Sequence, residues 1–248
     1  MPLLHPSASD LKQAIEEGSL SVHFQPQVHV PTGRLVGVEA FARWPHPAHG
    51  MIRPGELVSL VDRAGLHVAF DRSVVSAICA QARRWKAARV DVPVIAANVW
   101  MQTLRHPDAL RLLEPISELG VDPRRIELEC PRGSTADPSL TKTLVNMRAL
   151  GVRLASEEYV NGVRPIGPLR FDTLKIPFPI SRDNAAHEQG IRRVVGEAKR
   201  MGMRVVADSV ETLGQEHTLV ELGVDIVQGY LYGPEVAPSE LRTVLTRH

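Results

Sequence analysis

The chain has 248 residues, 44% hydrophobic and 23% charged, and Lys+Arg 29 against Asp+Glu 28 leaves a net charge of +1. This is a globule long enough for a sizeable core, without the basic footprint that duplex DNA or an anionic membrane surface requires. No apolar run approaches the roughly 20 residues of a spanning helix, Met1 to Asp10 lacks the pattern of a signal peptide, and Cys79 and Cys130 have no paired spacing, so neither a zinc site nor a disulfide framework is expected and a cytoplasmic setting is.

In chain order, Ser7 to Asp10 offers short polar caps for an opening helix at about 7–18, with Leu11, Ala14 and Ile15 at helical spacing. Val22 to Val30 and Arg34 to Trp44 read as two strands joined by the turn residues Pro31-Thr-Gly33, an antiparallel hairpin. In the second, Gly37, Glu39, Phe41 and Arg43 share one face, with Glu39 and Arg43 about 13 Å apart. A carboxylate and a guanidinium on one face suit a metal and a phosphate, or an ordinary pair of polar neighbours. Pro54 to Ala64 and Phe70 to Ala88 read as helices, the second ending in a solvated Arg83-Arg84-Trp-Lys86 turn.

From there buried-type strands alternate with amphipathic helices. The strands are Val92 to Val99, Arg125 to Pro131, Val152 to Val160, Thr173 to Phe178, Arg204 to Val210 and Ile226 to Leu231. The helices run near Pro107 to Leu119, Ser139 to Leu150, Ala185 to Met201 and Leu213 to Leu222, whereas Asn161 to Arg170 reads as loop. Six strands added to the opening pair make eight, which predicts an α/β fold of TIM-like (β/α)8 type with an antiparallel opening strand, as a single domain over 1–248. Such barrels gather chemistry at the C-terminal ends of their strands. Gln25, Glu39, Asn98, Glu127 and Glu129, Glu157 and Glu158, Lys175, Asp208 and Glu211, and Gln228 are expected there. Each has an innocent explanation alone; together they predict a site, because buried charge is costly unless paired or metal-bound.

Over roughly positions 10 to 245 these residues resemble the EAL domain, the bacterial phosphodiesterase module for cyclic di-GMP. Phe24-Gln-Pro26 is similar to the family's opening Tyr-Gln-Pro, and Glu39-Ala-Phe41 with Arg43-Trp44 to its signature Glu-Ala-Leu and trailing Arg-Trp. Asn98-Val-Trp100 stands where the family has Asn-Leu-Ser, Ile126-Glu-Leu-Glu129 resembles its Glu-x-Thr-Glu strand, Lys175-Ile176 resembles Lys-Ile-Asp, and Gln228-Gly-Tyr230 matches. The resemblance implies two Mg²⁺ or Mn²⁺ ions held by Glu39, Asn98, Glu129 and Glu157, which activate water to cut one phosphodiester bond. It implies catalytic roles for Asp208, Lys175 and Glu158, and ligand contacts from Gln25, Phe41, Arg43, Asn98, Glu211 and Gln228.

The departures fall on the cutting machinery. The family's Asp-Asp-Phe-Gly-Thr-Gly appears as Glu157-Glu158-Tyr-Val-Asn-Gly162, each Glu moving its carboxylate out by ~1.3 Å, whereas Mg²⁺ demands near-ideal geometry at about 2.0–2.1 Å. Val160 replaces a glycine, and Pro131-Arg132 stands where a threonine and a carboxylate are expected. Pro177 replaces the aspartate of Lys-Ile-Asp, and Asp208-Ser-Val-Glu211 shortens the residue that resembles the general base.

The residues that resemble the ligand-binding set are better kept than those for cutting. The leading expectation is a degenerate EAL domain, a cyclic di-GMP receptor or signalling interaction module with little or no hydrolysis, its Mg or Mn site impaired or absent. The alternatives are a slow Mg/Mn-dependent phosphodiesterase and an adaptor for a protein partner with a vestigial pocket. A homodimer is possible, as family members often pair through helices near the fifth and sixth strands; no DNA or membrane partner is expected. His46 and His49 lack a third ligand, and Ser156 lacks a nucleophile elbow.

Overall fold

The computed structural model describes residues 6–134, 137–157, 169–177 and 185–245. Helix α1 (Ala8–Glu16) opens with a capping box: Asp10 N donates to Ser7 Oγ, and Asp10 Oδ2 accepts from Ser7 N. Strands β1 (Ser21–His29) and β2 (Arg34–His46) follow, then a short β3 (Gly50–Ile52) paired to the end of β2. Helices α2 (Pro54–Ala64) and α3 (His67–Ala87) lead to β4 (Ile95–Asn98), α4 (Met101–Arg105), a 3-10 turn (Ala109–Leu113) and α5 (Glu114–Glu118). After β5 (Ile126–Cys130) come α6 (Pro138–Ala149), β6 (Arg153–Ser156), β7 (Thr173–Pro177), α7 (Ala185–Arg200), β8 (Arg204–Asp208), α8 (Leu213–Glu221), β9 (Ile226–Gln228) and α9 (Leu241–Leu245).

Eight strands close a ring in the order β1-β9-β8-β7-β6-β5-β4-β2, and β2 pairs back to β1. Strand β1 is antiparallel to both neighbours while the other pairings of the ring are parallel, so the expected barrel with an antiparallel opening strand is what forms. The period of two then sorts the side chains. Phe24, Val38, Ile95, Leu128, Leu154 and Leu174 face the helices and share one apolar core with them, where the Phe24 and Trp85 rings sit 4.6 Å apart. Burial of each such side chain contributes about 1.5–3 kcal/mol.

The residues between them face the lumen, which is polar. Gln25, Gln27, Glu39, Glu127, Glu129, Lys175 and Gln228 are all buried. Two glycines make room for this arrangement. A Cβ at Gly37 would lie 2.8 Å from Gln27 Oε1, and at Gly229, with φ +146, 2.2 Å from Val210 O. Only glycine lets the chain after β9 lie so close to the loop after β8.

The structure redraws several boundaries. The segment expected to be one helix over Pro107 to Leu119 is a 3-10 turn followed by α5, with Pro115 at the helix start supplying no N–H for a continuous ladder. The short elements β3, α4 and α9 were not anticipated; none is long enough for hydrophobic period to register. Strand β4 spans Ile95–Asn98 alone, and β8 and β9 stop at Asp208 and Gln228.

Candidate active site at the barrel mouth

Side chains from three strands, β4, β7 and β9, converge on the Glu39 carboxylate of β2. Asn98 Nδ2 donates to its Oε1 at 2.7 Å, while Lys175 Nζ and Gln228 Nε2 donate to its Oε2 at 2.8 and 2.6 Å. Lys175 also reaches Glu129 Oε2 at 2.6 Å, so one ammonium bridges two buried carboxylates. Gln228 extends the network, donating to Gln25 Oε1 at 3.0 Å and accepting from Gln27 Nε2 at 3.0 Å, and Gln25 Nε2 closes it on Gly233 O. Register places these groups together: Gln25 opposes Glu39 across β1 and β2, and Asn98 opposes Glu129 across β4 and β5.

Burial pushes the Glu39 carboxyl up, but the Lys175 charge and three hydrogen bonds outweigh it and hold the group ionised below its usual range. Glu129 goes the other way. Its burial and the neighbouring Glu39 charge raise it well above the carboxylate range against the pull of Lys175. Burial disfavours the Lys175 ammonium, yet Glu129, Glu39 and Asp208 more than compensate, so it stays charged. At the rim, Glu157 and Asp208 are both raised, chiefly by burial. Asp208 ends β8 and accepts from Ser209 N at 2.6 Å.

Arg43 is buried, donates to Ala42 O at 3.0 Å and pairs with the Glu235 carboxylate; its guanidinium carbon stands 6.0 Å from the Phe41 ring centre. Glu211 is exposed on the loop after β8, its amide held by Gln215 Oε1, and makes no hydrogen bond to the Glu39 network among the described residues. Glu158 and Val160 lie outside the described residues. Glu127 faces the lumen at the opposite end, where Thr173 and Arg204 donate to it at 2.7 Å each, so it is not part of the mouth.

The family profile described as "EAL domain" matches residues 8–235. The chain belongs to the EAL domain family. It is 30% identical over 97% of its length to the bifunctional diguanylate cyclase/cyclic di-GMP phosphodiesterase MucR of Pseudomonas aeruginosa, covering 36% of that protein. It is 31% identical over 96% of its length to the cyclic di-GMP phosphodiesterase PA2567 of the same organism, covering 42% of it. It therefore spans only about a third to two fifths of these relatives. Among solved structures, the PaMucR phosphodiesterase in complex with c-di-GMP superposes with a TM-score of 0.81 at 27% identity, covering 94% of this chain and 98% of that one. The FimX EAL domain of Xanthomonas citri in complex with c-diGMP has the same fold, with a TM-score of 0.78 at 19% identity and 91% of each chain covered.

Beside the network, this EAL domain has a cavity of about 450 Å³ lined by Phe41, Arg43, Asn98, Trp100 and Pro131, with Asp71 at its wall. A larger recess of about 620 Å³ around Arg53 and Arg63 shares no lining residue with it or with the carboxylates. Oxygen donors of the kind Mg²⁺ and Mn²⁺ take are present: Glu129 Oε1 is buried without a hydrogen-bond donor among the described residues, and Asn98 spends its Nδ2 on Glu39, leaving Oδ1 uncommitted. Glu39, Asn98 and Glu129 would hold such an ion, which when bound supplies an activated water, but Lys175 already sits between the two glutamates. Among the described residues no three His, Cys, Asp or Glu side chains form a ready metal shell, His46 and His49 included. Asp71, Gln27, Arg204 and Glu235 were not singled out from sequence.

No helix among the described residues is long and apolar enough to cross a membrane.

Proposed function

We propose that this EAL domain is a degenerate member that receives cyclic di-GMP with little or no hydrolysis. The observation that carries the reading is the uneven departure from the family pattern, kept at the ligand-lining positions and altered at the cutting positions. Lys175, which matches the family's Lys-Ile-Asp, bonds both Glu39 and Glu129 in the cutting half and does not itself set this chain apart. The lengthened acids at Glu157 and Glu158 and the shortened Asp208 weaken the same half of the site. Phe41, Arg43 and Asn98 meanwhile line the cavity with the stacking and donor groups a cyclic dinucleotide needs, and Gln228, which shares Glu39 with Asn98, links them to Gln25. That relatives are named as cyclic di-GMP phosphodiesterases, and a neighbour is a c-di-GMP complex, supports the choice of ligand.

A second reading, a slow Mg- or Mn-dependent phosphodiesterase, is favoured by one observation, the orphaned Glu129 Oε1. Calorimetric titration with cyclic di-GMP, with and without Mn²⁺, followed by product analysis, separates the two. Heat without product supports the receptor. Product that disappears in Glu39→Ala supports the enzyme, and no heat in either condition leaves an adaptor for a protein partner.

A further inference from the structure

We propose that Asp71 is a positioning residue, fixing the Trp100 amide and through it the Asn98 carboxamide over Glu39; this rests on the reading that Asn98 serves the ligand site. Asp71 lies near the start of α3 and is only 2% exposed. Its neighbours include Phe70 and Val74, and no cation pairs with it among the described residues. A carboxylate in such surroundings costs several kcal/mol unless it is hydrogen-bonded. Asp71 Oδ2 accepts from Trp100 N at 3.0 Å, with the Thr103 side chain beside it.

Trp100 is the turning point. It is the N-cap residue of α4, makes no side-chain capping bond, and stands two residues beyond Asn98 at the end of β4. The same part of α3 grips Trp100 a second time, since the His67 ring meets the indole edge-on at 4.8 Å. Asn98 is thus held from both sides, by its own bond to Glu39 and by a loop anchored on α3. Without the anchor the Asn98 side chain loses its fixed approach to Glu39, and ligand geometry degrades by the ångström that separates good from poor pre-organisation.

The test uses the full chain and three variants: Asp71→Leu, of similar size without an acceptor, Asp71→Asn, which keeps one, and Asp71→Leu in an Asn98→Ala background. The expected result is that Asp71→Leu weakens cyclic di-GMP binding about tenfold. Asp71→Asn should stay near wild type, and Asp71→Leu should cost nothing further once Asn98 is gone. Equal loss in both backgrounds, or wild-type binding by Asp71→Leu, overturns the inference. A second readout is independent of the ligand. The Asn98 side-chain amide, assigned by its loss in Asn98→Ala, should carry a downfield, hydrogen-bonded proton signal that Asp71→Asn keeps and Asp71→Leu collapses. If the wild-type chain gave no heat with cyclic di-GMP, the receptor reading would fall and this signal alone would decide: retention in folded Asp71→Leu overturns the anchor, collapse upholds it.

Discussion

The Arg43 guanidinium is paired with the Glu235 carboxylate, which belongs to the segment that bridges β1 through Phe24 and Val236. The cation best placed beside the cavity for a phosphate is therefore engaged by an internal anion. A phosphate entering the cavity competes with that carboxylate for the same fork of donors. Glu235→Gln should tighten cyclic di-GMP binding by about three- to tenfold, the scale of a half-exposed ion pair. Arg43→Ala should weaken it by ~1.5–3 kcal/mol, as for a charged hydrogen bond. Calorimetry checks both, and unchanged affinity in each variant would remove Arg43 from the ligand site.

Lys175→Met tests the built-in cation. It leaves Glu39 and Glu129 facing each other without the ammonium, and the loss of one partner from a buried network costs about 3–5 kcal/mol of stability. Mn²⁺ should then raise the melting temperature of the variant more than that of the wild type, because the ion no longer competes with Lys175. Equal Mn²⁺ shifts in the two proteins would show that Lys175 and the metal occupy separate places.

Asp71 gives a pH dependence with a defined sign. Burial, partly offset by its hydrogen bonds, moves its pKa from an ordinary 3.8 to about 7. Between those values the folded chain binds the proton more tightly than the unfolded chain, so stability falls as pH rises across the window. The penalty is absent below about pH 4 and complete above about pH 7, and is at most about 4 kcal/mol. Asp71→Asn lacks it. Denaturant titrations at pH 4 and pH 8 should show the variant gaining on the wild type at the higher pH, and a constant difference would mean that the carboxyl is not buried as described.

Ser209 adopts φ 63 at the turn out of β8. A non-glycine residue there is strained by about 1–2 kcal/mol. Ser209→Gly should raise stability by about 1 kcal/mol in a thermal melt, and a lowered melting temperature would show that the Ser209 side chain is needed.

Local pattern in the sequence was enough for the ring of strands and the amides at its mouth, because hydrophobic period, cap residues and short motifs are properties of neighbouring positions. Ser7 with Asp10, and Thr212 with Gln215, close capping boxes within four residues of chain. The helix expected over Pro107 to Leu119 went astray because a proline and a 3-10 turn interrupt a pattern that average hydrophobicity cannot resolve. Which charge meets which was decided only when the ring closed. Lys175 touching both Glu39 and Glu129, Glu127 turned toward Arg204 at the other end, Glu235 on Arg43 and Asp71 under Trp100 all join residues from different strands, helices and loops. Such pairs form because closure buries the groups together, and a buried charge must then take whatever partner the register brings within reach.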